Sequence, residues 1–432
     1  MRGDSQQCHL TVEQLGRSGD GMVRYEGRSY YIPGTLPGEQ LHLRFHHESV
    51  ELLGWDHYAP ERVDPPCSLA GRCGGCTLQH MEPTALLHWK AQHIERALTK
   101  SGFTDLPTPI MYQTPPHSRQ RLDVALQRVP GGVILGLHER GGDPVDMTEC
   151  PLIRPELFAL LPPLRTCLAS LGALTGRGAL AINLLESGPD LTLETPAPLS
   201  GSDREKLAAF ARAHHIPRIT WRPAPGKMME TAAQNGPVFH HFGGVKVTPP
   251  PASFLQASSE GEAAICEAVL AGLPPLNRKD RIIELYAGCG TLTFPLAQHG
   301  FVKAYEGDKA AISALRAATH GSRAEGAERD LNRQPLLPTE LNQARVVVLD
   351  PPYAGTGKQL ASLIRSTVQD IIYVSCSPAA LEKELPALHK AGFALLSWHV
   401  IDQFLWSSDV EAVLTLSRDP KRIRKARKAR QS

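Results

Sequence analysis

Over the first 55 residues short apolar runs alternate with glycine turns: His9–Leu15, Met22–Tyr25, Ser29–Ile32, Gly38–Phe45 and Leu52–Trp55, with Gly19–Gly21 after the first. Strands this short and closely spaced predict a small OB-like β-barrel. From Pro65 to about Val247 the pattern is mixed and rich in proline, with helical periodicity over Ala85–Ser101 that stops at Gly102 and strands at Leu122–Leu126 and Val133–Leu137. Thr248-Pro249-Pro250-Pro251 is the plainest linker in the chain. Strands and helices then alternate: strands at Ile282–Leu285, Lys303–Tyr305, Val346–Leu349, Ile371–Ser375, Phe393–Val400 and Ala412–Leu416, helices such as Glu260–Ala271 and Ala379–Ala391. That alternation predicts a mostly parallel, doubly wound α/β sheet. The expected division is a barrel over 1–58, a mixed α+β unit over 59–247, an α/β domain over 248–417 and a tail over 418–432.

The chain has 432 residues, more than one ordinary core holds, and 42% hydrophobic with 21% charged residues excludes a wholly disordered protein. No apolar run approaches the roughly 20 residues of a membrane helix. The polar start, Met1 to Leu10, has no signal-peptide core, so a cytoplasmic protein without membrane contact is expected. The net charge of +2 hides an asymmetry. Lys421, Arg422, Arg424, Lys425, Arg427, Lys428 and Arg430 put seven positive charges into the last twelve residues, leaving −5 for the rest. A free basic tail attracts polyanions, most often RNA or DNA; a solubilising disordered end has the same composition.

Four of the nine cysteines, Cys67, Cys73, Cys76 and Cys150, form C-x5-C-x2-C with a distant fourth before Pro151. In a cytosolic protein this is a metal-ligand pattern rather than a disulfide framework. Gly74-Gly75 would let backbone amides approach sulfur. An iron–sulfur cluster and a four-cysteine zinc site both satisfy the ligand count. Cys8, Cys167, Cys266, Cys289 and Cys376 are by default buried small hydrophobes.

Arg281-Ile-Ile-Glu-Leu-Tyr-Ala-Gly-Cys-Gly-Thr291 runs a strand into a glycine turn where Gly288 and Gly290 admit a ligand close to the backbone. Thr293 replaces the third glycine of the dinucleotide fingerprint, which argues for a smaller adenosine ligand. Glu306, ending the next strand, is placed for both ribose hydroxyls, the pattern of S-adenosylmethionine (SAM) methyltransferases. Asp350-Pro351-Pro352-Tyr353, read alone, is the signature of amino-methyltransferases acting on a nucleic-acid base. Cys376, at a strand end before a helix starting near Ala379, points elsewhere. Its thiolate would be favoured by the helix N-terminus. N-methylation needs no thiol, whereas carbon 5 of a pyrimidine becomes nucleophilic only after a thiolate adds to carbon 6. Glu411 is then the candidate base for the carbon-5 proton.

The chain resembles the bacterial iron–sulfur RNA uracil-C5 methyltransferases, from a TRAM-like start, carried by Gly-Asp-Gly-Met-Val at 19–23 and Pro33–Glu39, to about Ser417. The resemblance implies a class I Rossmann-like SAM methyltransferase domain preceded by an OB-like barrel and a mixed α+β iron–sulfur domain. It assigns Cys67, Cys73, Cys76 and Cys150 to a 4Fe–4S cluster, with Cys76-Thr-Leu-Gln-His80 and Glu149-Cys-Pro151 as matching surroundings. Gln256 in Phe254-Leu-Gln256, Tyr286, Gly288, Glu306, Asp330 and Asp350 match cofactor-pocket positions, Cys376 the nucleophile and Glu411 the base. RNA would be the partner, 23S rRNA favoured over tRNA by the TRAM-like start, with the protein acting as a monomer. Arg119 and Arg121 resemble a substrate-side run that could hold phosphates; salt bridges are their bland role. Reaching carbon 5 requires the uridine to leave its stack. The chain departs from the family at Tyr353, where arginine is common, at Ser377 for asparagine, at Asp409 for histidine and at Thr291 for asparagine. An N-methyltransferase and a non-catalytic RNA-binding iron–sulfur paralogue are the rival readings.

Overall fold

The computed structural model describes residues 6–46, 49–223 and 228–431, the side chain of Gln431 excepted. Met1–Ser5 of the polar start and Ser432 of the tail lie outside the described residues. The first strands are β1 (Gln6–Thr11), β2 (Gln14–Leu15), β3 (Gly21–Tyr25), β4 (Arg28–Ile32), β5 (Gln40–His46) and β6 (Ser49–His57). They form two three-stranded sheets, β1-β5-β6 and β2-β3-β4, around Val12, Val23, Ile32, Leu41, Leu43 and Phe45. The two sheets share a core but no ladder, so the expected barrel is open. Its Gly19-Asp20-Gly21 turn is a docking element. A Cβ on Gly21 would lie 2.1 Å from Thr35 Oγ1, and one on Gly19, whose φ is +87°, would meet Leu78 at 2.8 Å. Asp20 receives both Nη atoms of Arg140 at 2.6 and 2.7 Å.

There follow α1 (Pro83–Lys100), β7 (Ile110–Gln113), β8 (Arg121–Val129), β9 (Gly132–Gly136), α2 (Pro155–Phe158), α3 (Leu161–Ser170), β10 (Arg177–Leu185), β11 (Gly188–Glu194), α4 (Gly201–Ala213), β12 (Arg218–Arg222) and β13 (Glu230–Gln234). A six-stranded sheet, β13-β12-β11-β10-β8-β9, buries its own core. The expected unit over 59–247 is nevertheless divided. Helix α1 packs Ile94, Ala97 and Leu98 into the core of the C-terminal domain, and β7 is the edge strand of that domain's sheet. The hairpin β14 (His240–Phe242) and β15 (Val245–Val247) also buries Phe242 and Val247 there. An apolar stripe such as that of α1 settles where a matching stripe is free, whatever the linker position suggests.

The C-terminal domain holds α5 (Ser259–Gly272), β16 (Arg281–Leu285), α6 (Thr293–Ala297), β17 (Phe301–Glu306), α7 (Lys309–Ala318), β18 (Ala324–Glu328), α8 (Pro338–Leu341), β19 (Val346–Leu349), α9 (Gln359–Arg365), β20 (Asp370–Ser375), α10 (Pro378–Lys390), β21 (Ala394–Asp402), β22 (Glu411–Ser417) and α11 (Pro420–Gln431). Its eight strands are ordered β18-β17-β16-β19-β20-β22-β21-β7, all parallel except β22, with a core on each face. The α/β expectation holds here.

The basic tail is not free. It forms α11, in which Arg422 donates to Asp370 at 2.6 Å and Arg430 to Asp105 at 3.0 Å and the Leu395 carbonyl at 2.7 Å. Asp370 and Leu395 stand at the amino ends of β20 and β21, so the helix occupies the end of the sheet opposite Cys376. Lys421, Arg424, Lys425, Arg427 and Lys428 remain exposed. Among the described residues no helix is long and apolar enough to cross a membrane.

Candidate active site and cysteine centre

Strand order and register line up the candidate residues along one sheet edge. Glu306 ends β17, Tyr286 follows β16, Asp350 follows β19 and Cys376 follows β20. Antiparallel pairing ends with Ser375 against Ala412, and continuing that register brings Cys376, the residue after β20, level with Glu411, the first of β22. This is the carboxyl edge, where ligands bind in open α/β sheets.

The glycine turn is shaped for a close ligand. Tyr286 holds φ +64° and Gly288 +56°, and a Cβ added to Gly288 would enter open space. Gly290 has a packing reason instead: its Cβ would lie 2.5 Å from the Phe294 ring. Thr293 is buried and donates to the Glu284 carboxyl at 2.5 Å, so the third-glycine position serves the interior. The Glu306 carboxylate accepts backbone N–H groups from Gly288 at 2.8 Å, Gly307 at 2.6 Å and Asp308 at 2.7 Å. Three bonds leave a carboxylate with acceptor capacity for a hydroxyl. Asp330 is exposed beyond β18, where its Oδ1 accepts from Asn332 and Arg333 N–H at 3.0 and 3.2 Å. Beside Asp350, Tyr353 is 65% exposed. The loop after it is pinned by Tyr286, whose hydroxyl donates to the Thr356 carbonyl at 2.9 Å, and by Glu384, which accepts the Thr356 N–H at 2.7 Å.

Electrostatics at this edge overturn one expectation. Ser377 caps α10, which begins at Pro378, yet the Cys376 thiol is pushed up to about 12. Burial is the largest cause, followed by the Glu411 and Asp350 carboxyls. Those carboxyls are themselves buried: Asp350 is raised to about 7 and Glu411 well above the ordinary carboxylate range. The helix terminus is outweighed by burial and the neighbouring carboxyls, which favour the thiol over the thiolate. A cationic ligand reverses that balance, since positive charge favours each ionised form.

The four pattern cysteines line one enclosed cavity of about 130 Å³ together with Gly75, Gln79, Arg119, Leu137 and Met147. Burial raises the Cys67, Cys76 and Cys150 thiols, Cys76 to about 12, while the Arg119 guanidinium pulls Cys76 and Cys150 downward. Arg119 therefore faces the sulfurs rather than standing free for phosphate, and it also donates to the Arg121 carbonyl at 3.0 Å. Arg121 stacks its guanidinium 4.6 Å from the exposed Phe254 ring and donates to the Leu255 carbonyl at 3.2 Å. The glycine spacer has a packing cause: a Cβ on Gly74 would meet the His138 carbonyl at 2.8 Å, and one on Gly75 the Leu137 side chain at 2.5 Å. Among the described residues no three His, Cys, Asp or Glu side chains converge on the position of one metal ion. All nine cysteines are free thiols, and of the five outside the pattern only Cys289 is fully buried.

Sequence reading missed Gln403, Lys90 and Asp402. Gln403 donates to the buried Gln256, itself expected in the cofactor pocket, at 2.7 Å and also reaches Glu411 at 3.3 Å. Lys90 and Asp402 form a wholly buried ion pair of 2.6 Å, and Lys90 also donates to the Phe404 carbonyl. No local pattern marks a lone glutamine in a loop or a pair 312 residues apart.

Residues 252–419 match the tRNA (Uracil-5-)-methyltransferase family. An RNA methyltransferase of Caulobacter vibrioides, itself uncharacterized, is 36% identical over 95% of this chain and 99% of its own. One from Brucella suis is 35% identical over 95% and 97%. The chain belongs to this methyltransferase family. The 23S rRNA (uracil(1939)-C(5))-methyltransferase RlmD of Pectobacterium atrosepticum is 29% identical over 95% of this chain and 93% of its own. The crystal structure of Pyrococcus abyssi tRNA (uracil-54, C5)-methyltransferase with S-adenosyl-L-homocysteine covers 95% of this chain and 100% of its own at 20% identity and a TM-score of 0.70, a likeness of fold.

Proposed function

We propose that this enzyme methylates carbon 5 of a uridine in RNA, with SAM as methyl donor and 23S rRNA as substrate. The observation that carries the proposal is the register that sets Cys376 against Glu411 at the carboxyl edge, with Asp350 near enough to bear on both. SAM supplies an electrophilic methyl group and a positive charge. The open face of Gly288, the Glu306 carboxylate, Tyr286, Asp330 and Gln256 hold it. Having lost its proton to solvent, the Cys376 thiolate adds to carbon 6 of the flipped uridine, and the electron pair so placed on carbon 5 takes the methyl group as S-adenosylhomocysteine leaves. Glu411 then removes the carbon-5 proton and Cys376 leaves. Ribosomal RNA is favoured because relatives named for 23S rRNA span 95% of this chain. The exposed Phe254 and Tyr353 offer stacking surfaces beside the site.

The cysteine cavity is read as a 4Fe–4S site held by Cys67, Cys73, Cys76 and Cys150. The four sulfurs line one cavity and would bind such a cluster, with the Arg119 guanidinium beside Cys76 and Cys150 offsetting part of its negative charge. Its role is structural: the N–H of Leu78, two residues past Cys76, donates to the Trp406 carbonyl at 2.9 Å, in the loop leading to Glu411.

Anaerobically purified protein, methyl-labelled SAM and unmodified rRNA and tRNA transcripts test the reading. Label in 5-methyluridine from the 23S transcript, lost in Cys376→Ala, is the expected result. Label on a base amine that survives Cys376→Ala would assign the chemistry to Asp350-Pro351-Pro352-Tyr353 instead. RNA binding without transfer would mark a non-catalytic paralogue.

A further inference from the structure

Gln403 sits in the loop between β21 and β22, 4% exposed, in the centre of a network that joins the two halves of the site. Its amide orientation is fixed by a backbone group that can only donate: the Ala257 N–H gives its hydrogen to Oε1 at 3.0 Å. Nε2 therefore faces the other way, and its two hydrogens go to Gln256 Oε1 at 2.7 Å and Glu411 Oε1 at 3.3 Å. With Oε1 of Gln256 occupied by Gln403, its NH2 group is the part of the side chain left to donate elsewhere. With Oε1 of Glu411 accepting an N–H, Oε2 is the oxygen to which the described residues donate no hydrogen bond, and it is the one left to accept a proton.

The loop itself is held on three sides. Lys90 from α1 pairs with Asp402 at 2.6 Å and donates to the Phe404 carbonyl at 3.0 Å. Gln113, ending β7, donates to the second Asp402 oxygen at 3.0 Å, and Leu78 binds the Trp406 carbonyl. Gly261 closes the remaining side: a Cβ there would lie 2.7 Å from the Cβ of Gln403. A side chain built in this way has one conformation available, which is how a supporting residue fixes a reacting group.

We infer that Gln403 is a positioning residue that orients Glu411 so that Oε2 takes the carbon-5 proton. The inference rests on the thiolate reading proposed above. In the step concerned, the carbon-5 proton moves to Glu411 Oε2, the electrons of that C–H bond form the C5–C6 double bond, and the C6–S bond breaks with its pair returning to Cys376 sulfur. Weakening the orientation of Glu411 slows this step while leaving the preceding attack and methyl transfer intact, so a methylated enzyme–RNA adduct should accumulate.

The experiment compares wild type, Gln403→Glu, Gln403→Met, Glu411→Gln and Cys376→Ala with labelled SAM and the 23S transcript, resolving RNA-linked protein on denaturing gels and free 5-methyluridine by chromatography. Gln403→Glu keeps the shape and the Ala257 bond but loses the NH2 group that donates to Gln256 and Glu411 together; Gln403→Met removes the polar group altogether. The expected result is a labelled covalent adduct in both Gln403 variants and in Glu411→Gln, none in Cys376→Ala, with release of 5-methyluridine slowed about 10- to 100-fold in the Gln403 variants, the scale of a hydrogen bond to an ionisable group. A merely structural role would reduce methyl transfer and product together without adduct, and that result, or unchanged turnover, overturns the inference. If Glu411→Gln itself traps nothing, the thiolate reading fails; if Glu411→Gln traps and neither Gln403 variant does, only the assignment of Gln403 fails.

Discussion

The protein surrounds its thiols in two opposite ways. At the carboxyl edge Cys376 lies among buried acids, Glu411 and Asp350, which add to burial in holding it protonated. In the cysteine cavity Cys76 and Cys150 lie beside the half-buried guanidinium of Arg119, which works against burial. On the proposed reading, the positive charge of Arg119 would suit thiolates bound to a cluster, and its absence at Cys376 would suit a nucleophile that stays quiet until a cationic cofactor arrives. The contrast also explains why a helix N-terminus at Pro378 does not by itself make Cys376 reactive: partial charge at a helix end is smaller than the combined opposition of desolvation and two carboxyls.

The largest test of this contrast is loss of the cavity ligands. Cys76→Ser and Cys150→Ser should each abolish bound iron, measured by elemental analysis, and lower methyl transfer at least about a hundredfold, because the cysteine loop is bonded to the loop before Glu411. Iron retained in both variants would break the assignment. Next, Cys376 should react with iodoacetamide about tenfold faster with bound SAM than with bound S-adenosylhomocysteine, since the two fill the same space and differ in the sulfonium charge. Equal rates would remove charge from the account of the nucleophile.

A smaller effect is expected from α11. Replacing Arg424, Lys425 and Lys428 by glutamine should weaken RNA binding about three- to tenfold and lower the salt dependence by about two units of slope, with kcat unchanged. Filter binding at two salt concentrations reads this. The smallest effect concerns the buried acids. Glu284, raised to about 8, and Asp350, raised to about 7, hold protons in the folded state that the unfolded chain releases near its ordinary carboxylate range. Their stabilisation is therefore complete at low pH and is lost as pH rises toward 7 to 8. Glu284→Gln should flatten the fall in unfolding free energy between pH 5 and 8, read by urea titration, by an amount on the order of 1 kcal/mol.

Sequence pattern by itself determined the α/β sheet, the glycine turn, the cysteine set and the candidate pair Cys376 and Glu411. Each is written in local periodicity or in a short run whose chemistry is specific. Edge strands were illegible for the same reason: Ala324–Glu328 is largely polar and Ile110–Gln113 half exposed, so neither carries the apolar run of a central strand. The tail's charge was legible, but its folding as a helix depends on Asp370, Asp105 and the Leu395 carbonyl, remote in sequence. Tertiary structure alone decided that α1 leaves the central unit for the methyltransferase core, that Arg119 turns toward sulfur, and that Gln403 bridges Gln256 to Glu411. A hydrogen bond or buried charge has its meaning only with its partner, and chain order does not say which partner folding will supply.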